Sequence, residues 1–273
     1  MKHRITSLFV VLGLTALLAA CAGKGTEQLP PPESPAAAAR SESLWQALVR
    51  QSDRHAPAPC RLSLSLRFGT EGDTRRVTAL FWGNDDKHLR LDVMAGVGAV
   101  IANIVEADTH FLIYSPRENV AYFHEGSTKP LLKVGVPVPL ALADLSALLN
   151  GRYLRAFGEG HTPVAAPSPD TAAFALEKRF GGVLTLDAQG LPVSWTENGD
   201  KGWRMTILYD DRQLPRRLDL LHANGQKAIV LVKQRDGVQR PFTEEQLGLA
   251  LPEDTPLLPL SRYRAPADGK SAP

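Results

Sequence analysis

The sequence contains little cysteine, and its charges nearly cancel. Cys21 and Cys60 are the two cysteines in 273 residues, and the formal net charge is +2. Lys2 and Arg4 account for both units of that charge, so the rest of the chain carries equal numbers of basic and acidic side chains. A neutral chain without basic runs interleaved with aromatic residues does not fit a nucleic-acid-binding protein, and we expect no nucleic-acid partner.

The motifs of common catalytic and metal sites are also missing from the sequence. It has no CxxC, no histidine pair at i, i+4 spacing, no GxSxG elbow and no P-loop. His110 and His124 could meet on neighbouring strands, but two solvated strand histidines are the simpler interpretation. We therefore expect no enzyme, no metal and no cofactor. An envelope hydrolase with residues spread over distant strands is the alternative.

Long apolar runs are absent except near the N-terminus. Residues 8–18 form an apolar run that follows Lys2 and Arg4 and ends in Leu-Ala-Ala-Cys at Cys21. The run is shorter than the roughly 20 residues that span a bilayer. It predicts a bacterial lipoprotein signal peptide over 1–20, with Cys21 lipidated after cleavage. Two or three acyl chains anchor firmly, because each buried CH2 contributes about 0.8 kcal/mol.

The segment after Cys21 is polar and rich in proline, which a chance cysteine in an ordinary secretory signal would not explain. We predict a lipidated, semi-extended tether over 21–40. Ala22, not aspartate, follows the cysteine, and the usual sorting rule then predicts an outer-membrane lipoprotein that faces the periplasm. Cys60 would have no partner and is expected to be a buried, inert thiol, with an intermolecular disulfide as the alternative.

From residue 61 the pattern becomes that of β-strands. Leu62, Leu64, Leu66 and Phe68 alternate with polar residues, as in a half-buried antiparallel strand. Short segments of this kind recur with turn signals between them. The fold class is therefore mainly β (α+β): a curled antiparallel sheet or incomplete β-barrel of about eleven strands, with helices covering an apolar cavity.

Two helices are predicted beside this sheet. Residues 41–53 form an amphipathic pattern that Ser41 or Ser43 could cap, and residues 140–149 form a second one after a proline-rich stretch. We predict a single domain over 41–264, although a boundary within 158–170 is an alternative. Residues 242–263 are apolar but interrupted by proline and should pack across the sheet, and 265–273 should be a disordered tail.

Residues 94–102 are wholly apolar at a place where a polar turn is expected. One interpretation is a buried β-bulge or a close backbone approach at the glycines. The other is a protruding apolar loop, formed by Met94, Gly96, Val97 and Gly98, that offers its tip to a membrane or an acyl chain. The pattern alone leaves both open.

Three stretches resemble LolB, the outer-membrane receptor that accepts lipoproteins from the carrier LolA. In FWGNDDKHLRLDVMAGVGAVIANIV, Phe81-Trp82 and Arg90-Leu91 stand in matching places. Gly98 matches the glycine of the family's Asn-Pro-Leu-Gly-type loop, and Val97 falls on its protruding leucine. Residues 137–140 are similar to the family's Met-Pro-Ile-Pro-Leu segment, and LPRRLDLLHANGQKAIVLVK is similar to its final hairpin.

The resemblance implies an acyl-chain-binding protein that receives or inserts lipoproteins. Its partners would be acylated lipoproteins, a LolA-like carrier and the membrane, and it would act as a monomer. Ala95-Gly96 replaces the family's Asn-Pro and Val97 its leucine, which bears more on the insertion role than on the fold. The residues we expect to line the acyl cavity are Leu64, Leu66, Phe81, Trp82, Leu91 and Ile101.

A second hypothesis keeps the sheet and removes the carrier activity. A non-catalytic envelope lipoprotein could use a barrel filled by its own side chains to dock a partner in an assembly. The apolar tail could then occupy the cavity.

Overall fold

The computed structural model describes residues 29–85, 87–96, 98–108, 110–126, 129–177, 180–199 and 201–263. The chain divides into two units, Met1–Pro31 and Pro32–Pro273. Of the first unit only 29–31 are described, and they contain no helix or strand. Cys21, the predicted signal peptide and the predicted disordered tail at 265–273 lie outside the described residues. Every helix and strand below, together with the whole core, belongs to the second unit, which is compact by itself.

Fourteen strands form one sheet among the described residues. The strands are β1 (Pro59–Thr70), β2 (Asp73–Asn84), β3 (His88–Ala95), β4 (Ala99–Ala107), β5 (His110–Ser115), β6 (Val120–Glu125), β7 (His161–Val164), β8 (Ala172–Leu176), β9 (Val183–Leu186), β10 (Pro192–Thr196), β11 (Trp203–Tyr209), β12 (Pro215–His222), β13 (Lys227–Asp236) and β14 (Leu257–Pro259). The helices are α1 (Pro35–Asp53), α2 (Pro130–Lys133), α3 (Leu142–Leu149), α4 (Tyr153–Phe157) and α5 (Glu244–Leu247). A 3-10 turn covers Leu260–Arg262.

The sheet consists of two antiparallel meanders joined at its centre. Its strand order is β14-β6-β5-β4-β3-β2-β1-β13-β12-β11-β10-β9-β8-β7. The first and last strands of that order do not pair, so the curled sheet stays unclosed. This confirms a mainly β fold with a curled, unclosed antiparallel sheet and a few helices, with fourteen strands in place of about eleven. The pattern missed β7 and β14 because both are short and contain proline, which sheets tolerate at their edges.

Helix α1 begins at Pro35, six residues before the predicted start at residue 41. Ser34 is the N-cap, and its hydroxyl accepts a hydrogen bond from the Ala37 N–H at 3.1 Å. The predicted caps, Ser41 and Ser43, are therefore wrong. Proline is favoured in a first turn, and the four alanines that follow have the highest helix propensity. The last residues of the predicted tether are thus helical.

The apolar stripe of α1 packs as the sequence predicts. Leu44, Trp45 and Leu48 are buried in the core, and Val49 packs against it. No helix in the described ranges is both long enough and apolar enough to cross a membrane.

The two ends of the sheet differ. Successive antiparallel strands turn at alternate ends, so the connections at 71–72, 96–98 and 116–119 share one end, which we call the open end. At the opposite end, the Ser146 hydroxyl of α3 donates to the Asp85 carbonyl at 2.8 Å. Arg152, which precedes α4, forms a largely buried ion pair with the Asp85 carboxylate. Helices α3 and α4 therefore close this end.

Cys60 lies at the helical end and is 7% exposed. Its sulfur is 3.8 Å from the Ser146 hydroxyl oxygen, and burial raises the pKa of the thiol. The fraction of reactive thiolate is correspondingly small. The predicted buried thiol is confirmed.

The apolar tail packs across the outer face of the sheet, as expected. The Phe242 N–H donates to Asn84 Oδ1 at 2.8 Å, and Asn84 Nδ2 donates to the Phe242 carbonyl at 2.7 Å. The Phe242 ring meets Trp82 edge-on at 5.0 Å, and the Arg90 guanidinium donates to the Gly248 carbonyl at 2.7 Å. The tail then pairs in parallel with β6 through β14. Most of the tail therefore covers the sheet from outside.

Candidate functional site

A cavity of about 640 Å³ opens at the open end, on the inner face of the sheet. Its walls are the buried side chains of Leu66, Val77, Val93, Ile104 and Ile113. Small-molecule sites have volumes of roughly 300–1,000 Å³ and mostly apolar linings, so the volume and the walls suit an apolar ligand.

Strand register places the wall residues on one face. Leu66 lies opposite Val77, and Ile104 lies opposite Ile113, and cross-strand partners project to the same side. The next pair along the wall, Val93 and Ala102, contributes one small side chain. At this point of the wall, Ala102 fills less of the space than a larger aliphatic side chain would.

Residues 134–137, which follow α2, also line the cavity. The Val136 N–H donates to the Leu131 carbonyl of α2 at 3.0 Å, and the Val138 N–H donates to the Val136 carbonyl at 2.7 Å. Val138 and Leu140, which follow this segment in the chain, are buried. The stretch that resembles a family segment thus leads from the cavity to α3.

Glu106 fixes the start of α3 against the sheet. The residue is 8% exposed, and its carboxylate accepts hydrogen bonds from the Leu142 and Ala143 N–H groups, both at 2.9 Å. A carboxylate is favourable at the positive end of a helix, so one charge satisfies two otherwise free donors. Sequence reasoning missed Glu106 because its partners lie more than thirty residues away.

We expect Glu106→Gln to lower the free energy of unfolding by about 1–2 kcal/mol, because the charge-assisted acceptors are lost. Urea unfolding of the isolated domain would measure the change. Glu125→Gln is the matched control, since the Glu125 side chain is 71% exposed and the same substitution there should change stability by less than about 0.5 kcal/mol. Equal stability of the two variants would contradict the structural role of Glu106.

The mouth of the cavity carries polar groups beside the apolar wall. Asp73, Arg75 and Glu118 line it, together with the half-buried Tyr263. The Tyr263 ring meets Tyr122 edge-on at 5.1 Å, and burial raises the pKa of its phenol, which therefore stays neutral around pH 7. A polar mouth above an apolar interior suits an amphipathic ligand.

The β3–β4 hairpin projects an apolar tip beside this mouth. Val100 and Ile101 are 40% and 39% exposed, and Met94 is half-buried. Gly96 and Gly98 have φ of +55° and +90°, and a Cβ on either would meet nothing within 4 Å. The glycines therefore serve the turn conformation and not a close backbone approach.

The hairpin contains the predicted bulge, but the bulge is exposed. The register between β3 and β4 shifts between Val93 and Met94, which leaves Ile101 of β4 without a partner. Ile101 then lines the cavity mouth. Val97, the expected tip residue, lies outside the described residues.

The six predicted lining residues occupy three different places. Leu66 and Ile101 line the cavity. Leu64, Phe81 and Leu91 share the inner face but lie deeper, in the filled core. Trp82 points to the outer face, against Phe242. The wall residues that the prediction missed carry the same period-two signal, which identifies the inner face without showing where it is left unfilled.

The described residues contain no cluster of three or more His, Cys, Asp or Glu side chains that could hold a metal ion. His110 lies opposite Glu125, and His124 lies opposite Phe111, one register step away. Neighbouring positions on a strand face opposite sides of a sheet, so the two histidines point apart.

No protein-family model matches the sequence, and no curated protein matches it either. Solved structures do match. A LolA-superfamily protein from Nitrosomonas europaea superimposes with a TM-score of 0.52 and 12% identity, covering 76% of this chain and 99% of that one. An outer-membrane lipoprotein-sorting protein domain from Vibrio parahaemolyticus gives a TM-score of 0.51 and 11% identity, covering 76% and 97%.

A DUF1329-family protein from Desulfovibrio piger also matches, with a TM-score of 0.52 and 10% identity over 77% of this chain and 99% of that one. The protein therefore has the fold of LolA-superfamily and lipoprotein-sorting proteins, and the predicted LolA/LolB fold is confirmed at that level. None of the three is named as an enzyme.

Proposed function

We propose that this protein is a LolB-like lipoprotein receptor that binds the acyl chains of lipoproteins in the open-end cavity and passes them to a membrane. The main support for this proposal is the cavity of about 640 Å³. Aliphatic strand residues form its walls, and it opens beside an exposed apolar hairpin tip. The position of most of the tail supports an open cavity, since Phe242 and Leu247 pack on the outer face and the tail reaches the cavity with Tyr263 at its mouth.

The mechanism is physical transfer without covalent chemistry. Each CH2 that leaves water for the cavity contributes about 0.8 kcal/mol, so a long acyl chain gains enough to be held. A difference of about 1.4 kcal/mol in affinity changes an equilibrium tenfold. Slightly tighter binding than that of the delivering carrier draws cargo in, and the bilayer then removes it.

The cellular setting belongs to the same proposal. Cys21 carries the acyl anchor, the proline-rich stretch before Ser34 separates domain from membrane, and Ala22 directs the protein to the outer membrane. The cavity then faces the periplasm, where a LolA-like carrier delivers acylated lipoproteins to a monomeric receptor.

Binding of a triacylated lipopeptide to residues 22–273 tests the proposal, because this protein contains the compact unit without the anchor. We expect saturable binding of the acylated peptide and none of its unacylated form. A cooperatively melting domain that binds neither peptide would refute the proposal and favour the partner-docking module.

The hairpin tip is expected to act in delivery. Val97→Glu, or Val100→Glu at the exposed neighbouring position, should abolish transfer of lipopeptide to vesicles while the domain keeps its melting temperature, because a buried charge opposes insertion. Thr206→Glu is the matched control, since Thr206 is exposed on β11. Normal delivery by both tip variants would count against a role for the tip.

A further inference from the structure

Two arginines lie directly opposite each other at the open end of the sheet, and one of them, Arg76, also lines the cavity mouth. Arg67 of β1 lies directly opposite Arg76 of β2, and both are exposed. Like charges at directly opposed positions are unfavourable in a sheet. Neither forms an ion pair within the described part of the chain, and the Arg76 guanidinium donates to the Ser65 hydroxyl at 3.1 Å. The pair is therefore a concentration of uncompensated positive charge.

Lys227 extends the pair into a row. It lies opposite Gly69, two residues along β1 from Arg67, and alternation places it on the same face. We call Arg67, Arg76 and Lys227 the basic rim.

The neighbouring carboxylates do not neutralise the basic rim. Alternation along β2 sends Asp73 to the cavity side, with Val77. Asp92 and Asp219, on the outer face of β3 and β12, are each engaged by their own arginine at 2.9 Å. Glu71 lies in the β1–β2 turn, beyond the last strand pair.

The basic rim ends beside the apolar tip. Arg76 lies two residues from Thr78, which pairs with Met94, and Met94 pairs with Val100. Charged and aliphatic side chains thus follow one another along the same end of the sheet, next to the cavity mouth.

We propose that the basic rim binds the phosphates of anionic lipids and docks the cavity mouth on a membrane surface. Guanidinium groups bind phosphate oxygens in a bidentate manner, and each basic residue near an anionic leaflet strengthens partitioning by about fivefold. This inference rests on the proposed function, because it assigns the surface that presents the cavity to the bilayer.

The apolar tip favours a membrane over other anionic partners. Basic side chains beside exposed aliphatic ones match the headgroup layer and the acyl layer of a bilayer. A nucleic acid or an acidic protein surface would leave Val100 and Ile101 without an apolar partner.

Sedimentation with vesicles, without any lipopeptide, tests the proposal on residues 22–273. Vesicles of phosphatidylcholine alone are compared with vesicles of equal parts phosphatidylcholine and phosphatidylglycerol. We expect binding to the anionic vesicles to fall at least about tenfold in Arg67→Glu/Arg76→Glu and to weaken with salt. Arg50→Glu/Arg212→Glu, at exposed positions on α1 and on the turn after β11, makes the same change in net charge and should bind as the parent does.

Arg67→Gln/Arg76→Gln provides a milder variant if the reversed charges prevent folding, and it should also lose binding. Equal binding to both vesicle types, or an equal loss in the Arg50/Arg212 control, would overturn the proposal. Arginine-dependent binding to polyglutamate without binding to vesicles would overturn it in favour of an acidic protein partner. Lipopeptide binding by the parent protein is measured separately, so failure of the basic rim and failure of the cavity are distinguishable.

Discussion

Replacing Ala102 with tryptophan is expected to reduce binding of the triacylated lipopeptide by more than about a hundredfold, or about 2.7 kcal/mol. Ala102 is half-buried, lies opposite Val93 and lines the cavity. An indole at this position occupies space that an acyl chain would need. Insertion of bulk into a packed core costs about 1–3 kcal/mol, but here the added ring enters existing space, so the domain should keep its cooperative melting.

Isothermal titration with the lipopeptide measures the loss, and Ala39→Trp supplies the matched control. Ala39 is exposed on α1, so the same ring is added away from the cavity and binding should be unchanged. If Ala102→Trp still binds with the parent's affinity, the acyl chains do not occupy this cavity.

Arg152→Met is expected to destabilise the domain by about 3–5 kcal/mol, because it removes the guanidinium that pairs with the Asp85 carboxylate in a largely buried site. The guanidinium pairs with Asp85 where the helices meet the β2–β3 turn. Asp85 has φ of +63°, a conformation that asparagine also tolerates, so Asp85→Asn removes the charge and keeps the backbone.

Urea unfolding of the two single variants and of Arg152→Met/Asp85→Asn completes the test. The double variant should be more stable than Arg152→Met alone, because the largely buried carboxylate charge is removed together with its guanidinium partner. Additive losses in the double variant would show that the two side chains are not coupled.

The fold was largely predictable because its strands carry a strong local signal. Leu62, Leu64 and Leu66 alternate with polar residues and are all buried on one face. The start of α1 does not follow from apolar spacing, because Ser34-Pro35 and the four alanines after it signal a helix through capping and propensity. Strand β7 was not predicted because it contains Pro163, and proline is rare inside a sheet. β7 lies at the edge of the sheet, where proline is tolerated.

The site was less predictable than the fold because a cavity is a property of side chains from several strands. Alternation shows that Phe81 and Val93 both face the inside of the sheet. It does not show that Phe81 packs in the core whereas Val93 lines the cavity, which depends on how the strands are paired. Trp82 was misplaced for a simpler reason: it adjoins Phe81, and neighbours on a strand cannot share a face. The basic rim depends on the pairing of Arg67 with Arg76, which the sequence separates by a turn.

The central pairing of β1 with β13 has a consequence for how the chain folds. Each meander is built from hairpins that are neighbours in the sequence. The pairing of β1 with β13 instead brings Leu66 opposite Val230, which is distant in the sequence. Distant contacts form slowly, because the cost of closing the loop precedes the gain from pairing. Each half of the sheet therefore exists for a time before the two halves pair. During that time, β1 and β13 have no partner on the side where they will later meet. We therefore expect the folding chain to mispair with a second copy more readily than the folded protein does.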